Sequence, residues 1–222
     1  MGYILNIETA TKNCSVALAK QGKIILCKEI AEEGYSHAER LHVFIEEIIK
    51  EAGISLYDLS AIAVSQGPGS YTGLRIGVSA AKGLCYALEI PLIAVDTLQV
   101  LASQANVAEG LIVAMIDARR MEVFSAIYSP QFDKKRDIFA EIIDGASFSD
   151  WSEKLFFVGD CAEKCTSVLI KENHVFLESI KYPSAKEMSV LSYQKFKTND
   201  TVDVAYFEPY YLKDFMITTP KK

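Results

Sequence analysis

The residues best placed for chemistry form one run, Gly67-Pro68-Gly69-Ser70-Tyr71-Thr72-Gly73-Leu74-Arg75-Ile76-Gly77. The run follows a short apolar segment, 61–65, and leads into a helical pattern that ends near Leu88. A glycine-rich turn opening a helix can aim backbone N–H groups at an anion, so phosphate contact is the chemistry it suggests. Two familiar phosphate loops fail on spacing. The P-loop needs G-x-x-x-x-G-K-[ST], but Thr72 stands five after Gly67 and Leu74 five after Gly69. The dinucleotide fingerprint G-x-G-x-x-G finds its third glycine, Gly73, one place late. No acid follows at the ribose distance, since Glu89 comes early in the next linker and Asp96 ends the next strand. Two readings remain, an anion contact and a tight turn with close helix packing. Four glycines in eleven residues exceed what a turn alone requires.

Metal and acid–base chemistry have fewer candidates. The histidines are His37, His42 and His174. Two ligands at i, i+4 lie about 40° apart around a helix, whereas His37 and His42, at i, i+5, lie about 140° apart. No H-E-x-x-H motif is present, so no metal is expected. His37 is expected to pack or hydrogen-bond locally at a helix start, and His42 to be solvated or at an interface. Glu8 and Asp117 each end a strand at the mouth of a hairpin turn. Facing one another they would make an acid–base pair; otherwise they cap backbone N–H groups. Cys14 has no visible base to activate it. The five cysteines are odd in number and sparse, as free thiols in a reducing cytosol would be. Cys161 and Cys165 are too few for a structural zinc.

The chain has 222 residues, half of them hydrophobic, and a net charge of −6. That length supports one large domain or two small ones, and the apolar fraction excludes a disordered chain. The longest apolar candidate, 111–116, stops at Asp117, far short of the ~18 residues a membrane span needs. Met1 to Glu8 has no basic segment and no signal-peptide pattern. Residues 1–100 carry 8 basic and 11 acidic side chains, and 101–222 carry 15 and 18. Neither half is basic, which argues against a stand-alone nucleic-acid binder. Arg119-Arg120 and Lys134-Lys135-Arg136 read as solvated charges in turns.

The elements that must position these residues follow from hydrophobic periodicity. Strands are expected at 3–8, 14–19 and 24–30, forming an antiparallel meander. A helix at 36–52 has apolar residues at Leu41, Phe44, Ile45, Ile48, Ile49 and Ala52. Ser36 with Glu39 matches a capping box, and Gly53 closes the helix. A strand at 61–65, the glycine run, a helix at 71–88, a strand at 90–95 and a helix near Thr97 complete the first part. The second part opens alike, with strands at 111–116, 122–128 and 136–143. It continues with a strand at 155–158, a helix from Asp160 (as N-cap) to about Lys171, a strand at 175–177 and a helix at 184–196. Alternating strands and helices imply parallel pairing with crossovers. The chain therefore reads as two βββαβα lobes, 1–105 and 106–222, with the tail 203–215 able to cross back to the first lobe. In the first lobe, Ser79, Ala80 and Gly83 on one helix are small enough for a close helix approach. With Leu41, Phe44, Ile45 and Ile48 on the other they form a candidate partner surface.

The run Gly67 to Gly77 is preceded by Leu5-Asn6-Ile7-Glu8-Thr9-Ala10-Thr11 and Ser36-His37-Ala38-Glu39. It is followed by Ile116-Asp117-Ala118-Arg119-Arg120 and Phe207-Glu208-Pro209-Tyr210-Tyr211-Leu212-Lys213. Together these resemble the TsaB (YeaZ) family, over nearly the whole chain. The resemblance implies an α/β fold of two ribonuclease-H-like (actin/hsp70-like) lobes. It implies a non-catalytic cytoplasmic subunit without a cofactor. This subunit would bind and stabilise a TsaD-like transferase that makes threonylcarbamoyladenosine in tRNA, next to the anticodon. A TsaE-like ATPase is the further partner implied, tRNA is reached only through the complex, and the free chain is expected to form a homodimer. Two other functions were weighed. An actin-fold phosphotransferase would need glycines in its hairpins, but Glu8-Thr9-Ala10-Thr11 has none, and nine of the twelve glycines lie in the first 83 residues. A metallopeptidase, the old glycoprotease label, would need the missing histidine spacing.

Overall fold

The computed structural model describes residues 2–31 and 37–212. Ser36, and with it the expected capping box, and the tail from Lys213 lie outside the described residues. The first sheet is built from β1 (Tyr3–Glu8), β2 (Asn13–Lys20), β3 (Lys23–Ala31), β4 (Leu59–Gly67) and β5 (Leu92–Asp96). Its helices are α1 (His37–Glu51), α2 (Tyr71–Leu88) and α3 (Thr97–Ala102). The second sheet contains β6 (Leu111–Asp117), β7 (Glu122–Tyr128), β8 (Lys134–Ile142), β9 (Leu155–Val158) and β10 (His174–Phe176). The remaining helices are α4 (Ala162–Cys165) and α5 (Ala185–Lys197).

The strand orders are β3-β2-β1-β4-β5 and β10-β9-β6-β7-β8. Read from its other edge, the second order is the first repeated. Both meanders pair antiparallel, and both later strands pair parallel. The duplicated ribonuclease-H-like topology is therefore present in the hydrogen bonding.

Alternation along the central strands explains the layers. Leu5, Ile7, Ile62 and Val64 face one side of the first sheet and pack with Leu41, Ile45, Ile48, Val78 and Ala81 of α1 and α2. Ile4, Ala61, Ala63, Ile93 and Val95 face the other side, where Val100 of α3 and Met188 of α5 cover them. The alanines on this face let the covering helices come close. On its far side α3 meets the second sheet, where Leu98, Leu101 and Ala102 pack on Ile112, Ala114, Ile116, Phe124 and Ala126. The second sheet's outer face is closed by Ile143, Phe148, Cys161, Cys165 and Leu169.

Several expectations need correction. The helix α5 was assigned to a second lobe spanning 106–222, but it packs on the first sheet. Asn6 Oδ1 on β1 accepts from the Ser192 hydroxyl at 2.6 Å, and Ala185 N–H donates to Ser15 Oγ at 2.8 Å. The described part of the tail follows α5. Val202 N–H donates to Leu92 O at 2.9 Å on the edge strand, and Tyr210 N–H to Gln66 O at 2.7 Å. The second lobe is also not a full βββαβα unit, because β8 and β9 are joined by turns at 145–150 and not by a helix. The helix expected from Asp160 to Lys171 is only α4. It starts at Ala162, two residues after Asp160, whose Oδ1 accepts the Asp117 N–H at 2.9 Å. Lys134, Lys135 and Arg136 lie in the strand β8 rather than in a turn. Lys134 is drawn to Asp96, with Nζ 2.8 Å from Oδ2.

Candidate functional site

The glycine run starts where β4 leaves the sheet. Gly67 has φ of +114°, a conformation that favours glycine, and its N–H donates to Thr97 Oγ1 at 3.0 Å. Ser70 caps α2 by accepting from Gly73 N–H at 3.3 Å. The remaining glycines are a seat for the β1–β2 hairpin. A Cβ at Gly69 would lie 2.3 Å from Ala10 O, at Gly73 2.1 Å from Thr9 O, and at Gly77 2.2 Å from Thr9 Oγ1. Two hydrogen bonds hold the hairpin there. Thr9 Oγ1 donates to Gly73 O at 2.7 Å, and Ser70 N–H to Ala10 O at 2.6 Å. Close packing thus accounts for the glycine spacing. Pro68 and Leu74 are buried beside it. Arg75 points away to the tail, with its guanidinium 4.0 Å from the Tyr71 ring centroid and Nε 3.3 Å from Tyr211 Oη.

The same seating opens a cleft of about 520 Å³ between the lobes. Ala10, Thr11 and Lys12 of the first hairpin, His37, and Gly69 to Thr72 form one wall. Ile116 to Arg119, Phe124 and Asp160 form the other.

Glu8 and Asp117 do not make an acid–base pair. Glu8 is fully buried; Ala10 N–H donates to its Oε1 at 2.6 Å and the Ser65 hydroxyl to its Oε2. Burial pushes its pKa up to about 7, against the opposing pull of those hydrogen bonds. Asp117 is exposed. Its Oδ1 accepts the Arg119 N–H at 2.9 Å and pairs with Lys164 Nζ. Both acids therefore cap hairpin N–H groups. Asp160 was missed as a cleft residue. Burial and then neighbouring Asp117 raise its pKa against the Asp117 N–H that it accepts. Cys14 is no nucleophile at neutral pH, because burial, with Glu8 nearby, pushes its thiol up to about 11.

His37 is buried at the start of α1, with Nε2 2.7 Å from Thr11 O, and burial lowers its pKa. His42 is exposed on the same helix. They point to different surroundings, and among the described residues no group of three or more His, Cys, Asp and Glu side chains is placed to hold a metal.

The expected partner surface divides in two. Leu41, Ile45 and Ile48 are buried in the core of the first lobe, so they are not surface residues. An apolar stripe on α1 satisfies its own sheet first. Phe44 is half-buried against that core. Ser79 and Gly83 are exposed, and with Ala80, half-buried against the core, they line a groove shared with Ala38, His42, Arg75, Ile76 and Leu84. A Cβ on Gly83 would meet nothing within 4 Å.

Comparison with known proteins gives these features a family. A model described as TsaD, tRNA N6-adenosine threonylcarbamoyltransferase, matches residues 29–220. The tRNA threonylcarbamoyladenosine biosynthesis protein TsaB of Escherichia coli is 30% identical, over 95% of this chain and 94% of that one. The tRNA N6-adenosine threonylcarbamoyltransferase of Bacillus subtilis is 40% identical over 108 residues, 42% of this chain and 31% of that one. The crystal structure of YeaZ from Pseudomonas aeruginosa superposes with a TM-score of 0.83 at 27% identity, covering 96% of this chain and all of that one. With its two actin/hsp70-like lobes, its glycine-seated hairpin and full-length similarity to these proteins, the chain belongs to the TsaB (YeaZ) family, a relative of the TsaD transferases.

Proposed function

We propose that this protein is a non-catalytic subunit of the machinery that makes threonylcarbamoyladenosine in tRNA, at the adenosine next to the anticodon. It acts by binding and stabilising a TsaD-type transferase. The observation that carries this reading is the open groove between α1 and α2, floored by Ser79, Ala80 and Gly83. Small side chains there leave room for a helix of a partner to approach closely. The burial of Glu8, the pairing of Asp117 with Lys164 and the high thiol pKa of Cys14 support a subunit without chemistry of its own.

In this reading a TsaE-like ATPase joins the complex in the cytoplasm. The transferase supplies most of the tRNA contact, as the net charge of −6 favours. Without its partner the chain pairs with a second copy through the same groove.

Gly83→Arg tests the surface. Gly83 faces open space, so the variant should fold, melt no lower than wild type, and fail to capture the transferase in a pull-down. Capture at wild-type strength would remove this groove from the interface. Phe44→Asp is the less clean test, because Phe44 also packs on the core. Reconstitution of tRNA modification with each protein omitted in turn tests the role. Modification should require this chain, and the chain alone should give none.

A further inference from the structure

The five cysteines are free thiols, and two of them share one turn of backbone. Cys161 precedes α4 and Cys165 ends it, and the Cys165 N–H donates to Cys161 O at 3.2 Å. Both pack in the core of the second lobe, where the Cys161 thiol donates a hydrogen bond to Cys165 Sγ. That bond holds the Cys165 thiol below its ordinary value against burial, with Lys164 assisting, and leaves Cys161 as the protonated partner. Cys14, Cys27 and Cys85 are in the opposite state, because burial pushes their thiols up to about 11, 11 and 12. The pair is buried but thinly covered. α4 is a single turn, too short to be stable by itself, and Glu163, Thr166 and Ser167 around it are exposed. Opening that turn brings both sulfurs to solvent without unfolding either sheet.

The same turn holds the β6–β7 hairpin. Asp160 Oδ1 accepts the Asp117 N–H at 2.9 Å. Lys164 Nζ donates to Arg120 O at 2.7 Å and to Glu122 O at 2.8 Å, and it pairs with the Asp117 carboxylate. Arg119 and Arg120 have φ of +76° and +53°, in the left-handed region that favours glycine, so the hairpin depends on these holds for its shape.

We propose that Cys161 and Cys165 are a peroxide-sensitive dithiol, and that closing their disulfide loosens the β6–β7 hairpin. Cys165 Sγ, as the thiolate, attacks one oxygen of hydrogen peroxide. The O–O bond breaks, Cys165 becomes a sulfenic acid, and the other oxygen leaves as water with the proton that the thiol gave up. Cys161 Sγ then attacks Cys165 Sγ and displaces its hydroxyl, which takes the Cys161 proton and leaves as a second water. Two thiols are oxidised to one disulfide, and one peroxide is reduced to two waters. Side chains four apart on a helical turn have Cβ atoms about 5–6 Å apart, and a disulfide needs about 3.8 Å. The turn must therefore tighten, which draws Lys164 off the carbonyls it holds. A disulfide that forms and is reduced again serves redox sensing rather than structural stapling. The inference does not rest on the subunit reading.

The test treats the intact chain with graded hydrogen peroxide and then alkylates the remaining thiols in denaturant. Cys161 and Cys165 should be lost together and before Cys27, although Cys27 is the more exposed. Trypsin cuts after Lys164, so the two peptides should be joined only through the disulfide and part on reduction with dithiothreitol. Cys161→Ser should trap Cys165 as a sulfenic acid that dimedone labels, whereas Cys165→Ser should leave Cys161 unlabelled at the same dose. Brief trypsin digestion of the native chain should cut at the exposed Arg119 and Arg120 about fivefold faster after oxidation, the effect on local opening of losing one hydrogen bond. Lys164→Met should be cut that fast while reduced and gain nothing on oxidation. Oxidation of Cys27 first, no linkage of the two peptides, equal dimedone labelling of the two serine variants, or an oxidised wild-type hairpin cut at the reduced rate would each overturn the proposal.

Discussion

Gly73→Ala should lower the thermal midpoint by about 6–12 °C. The added Cβ would sit 2.1 Å from the carbonyl oxygen of Thr9, which is backbone and cannot rotate aside. Either α2 lifts away from the hairpin or the hairpin leaves its seat, and both break the bond from Thr9 Oγ1 to Gly73 O. A misfit of this kind in a packed interior costs about 3 kcal/mol. At about 2–4 °C per kcal/mol for a chain of this size, the stated shift follows. Gly83→Ala, on the same helix, is the control with the opposite sign. Its Cβ meets nothing, and alanine gains about 0.5–1 kcal/mol over glycine within a helix. Circular-dichroism melts of the two variants beside wild type decide the matter. A Gly73→Ala chain melting with wild type would mean that the hairpin is not seated on α2 as described.

Glu8→Gln should make the protein more stable above pH 7 and remove a pH dependence. The Glu8 carboxyl goes from an ordinary value near 4.5 to about 7 on burial. Between these values the folded chain holds a proton that the unfolded chain has released. Stability therefore falls as pH rises through the window and levels off above pH 7. The full difference is about 3 kcal/mol, from roughly 1.4 kcal/mol per pK unit. Glutamine has the same shape and no charge. Its carbonyl can accept the Ala10 N–H, and its amide can donate to Ser65 Oγ, replacing the contacts of Glu8. Urea unfolding at pH 5 and pH 8 should show wild type losing stability between them while Glu8→Gln stays level. Parallel losses in both proteins would show that Glu8 ionises normally.

Much of this was legible because local patterns carried it. The opening meander, the helical spacing of Leu41 to Ala52 and the helix after the glycine run each follow from period and punctuation. The hairpin acids Glu8 and Asp117 could be read as N–H caps because such turns leave N–H groups to satisfy. What could not be read are the choices between surfaces of equal polarity. The stripe on α1 is apolar whether it meets its own sheet or a partner, so Leu41, Ile45 and Ile48 were placed outside when they lie inside. The apolar face of α5 does not say which sheet it will cover; the alanines at Ala61 and Ala63 were the available hint. A charged edge strand such as Lys134 to Arg136 looks like a turn, because one side of it meets water. The glycine spacing was visible, but its cause lay in Thr9 and Ala10, some sixty residues away in the chain.

The crossing of α5 to the first sheet has a consequence for the order in which the chain can be completed during synthesis. The lobe whose residues leave the ribosome first lacks one of its covering layers until nearly the last residues are made. Until then Ile4, Ala61, Ala63 and Ile93 lack Met188, and Asn6 waits for Ser192 across most of the chain. The second lobe's sheet has all five of its strands by residue 176 and can form earlier. The half encoded first is thus finished last, and a nascent chain paused before α5 exposes an apolar sheet face that chaperones must cover.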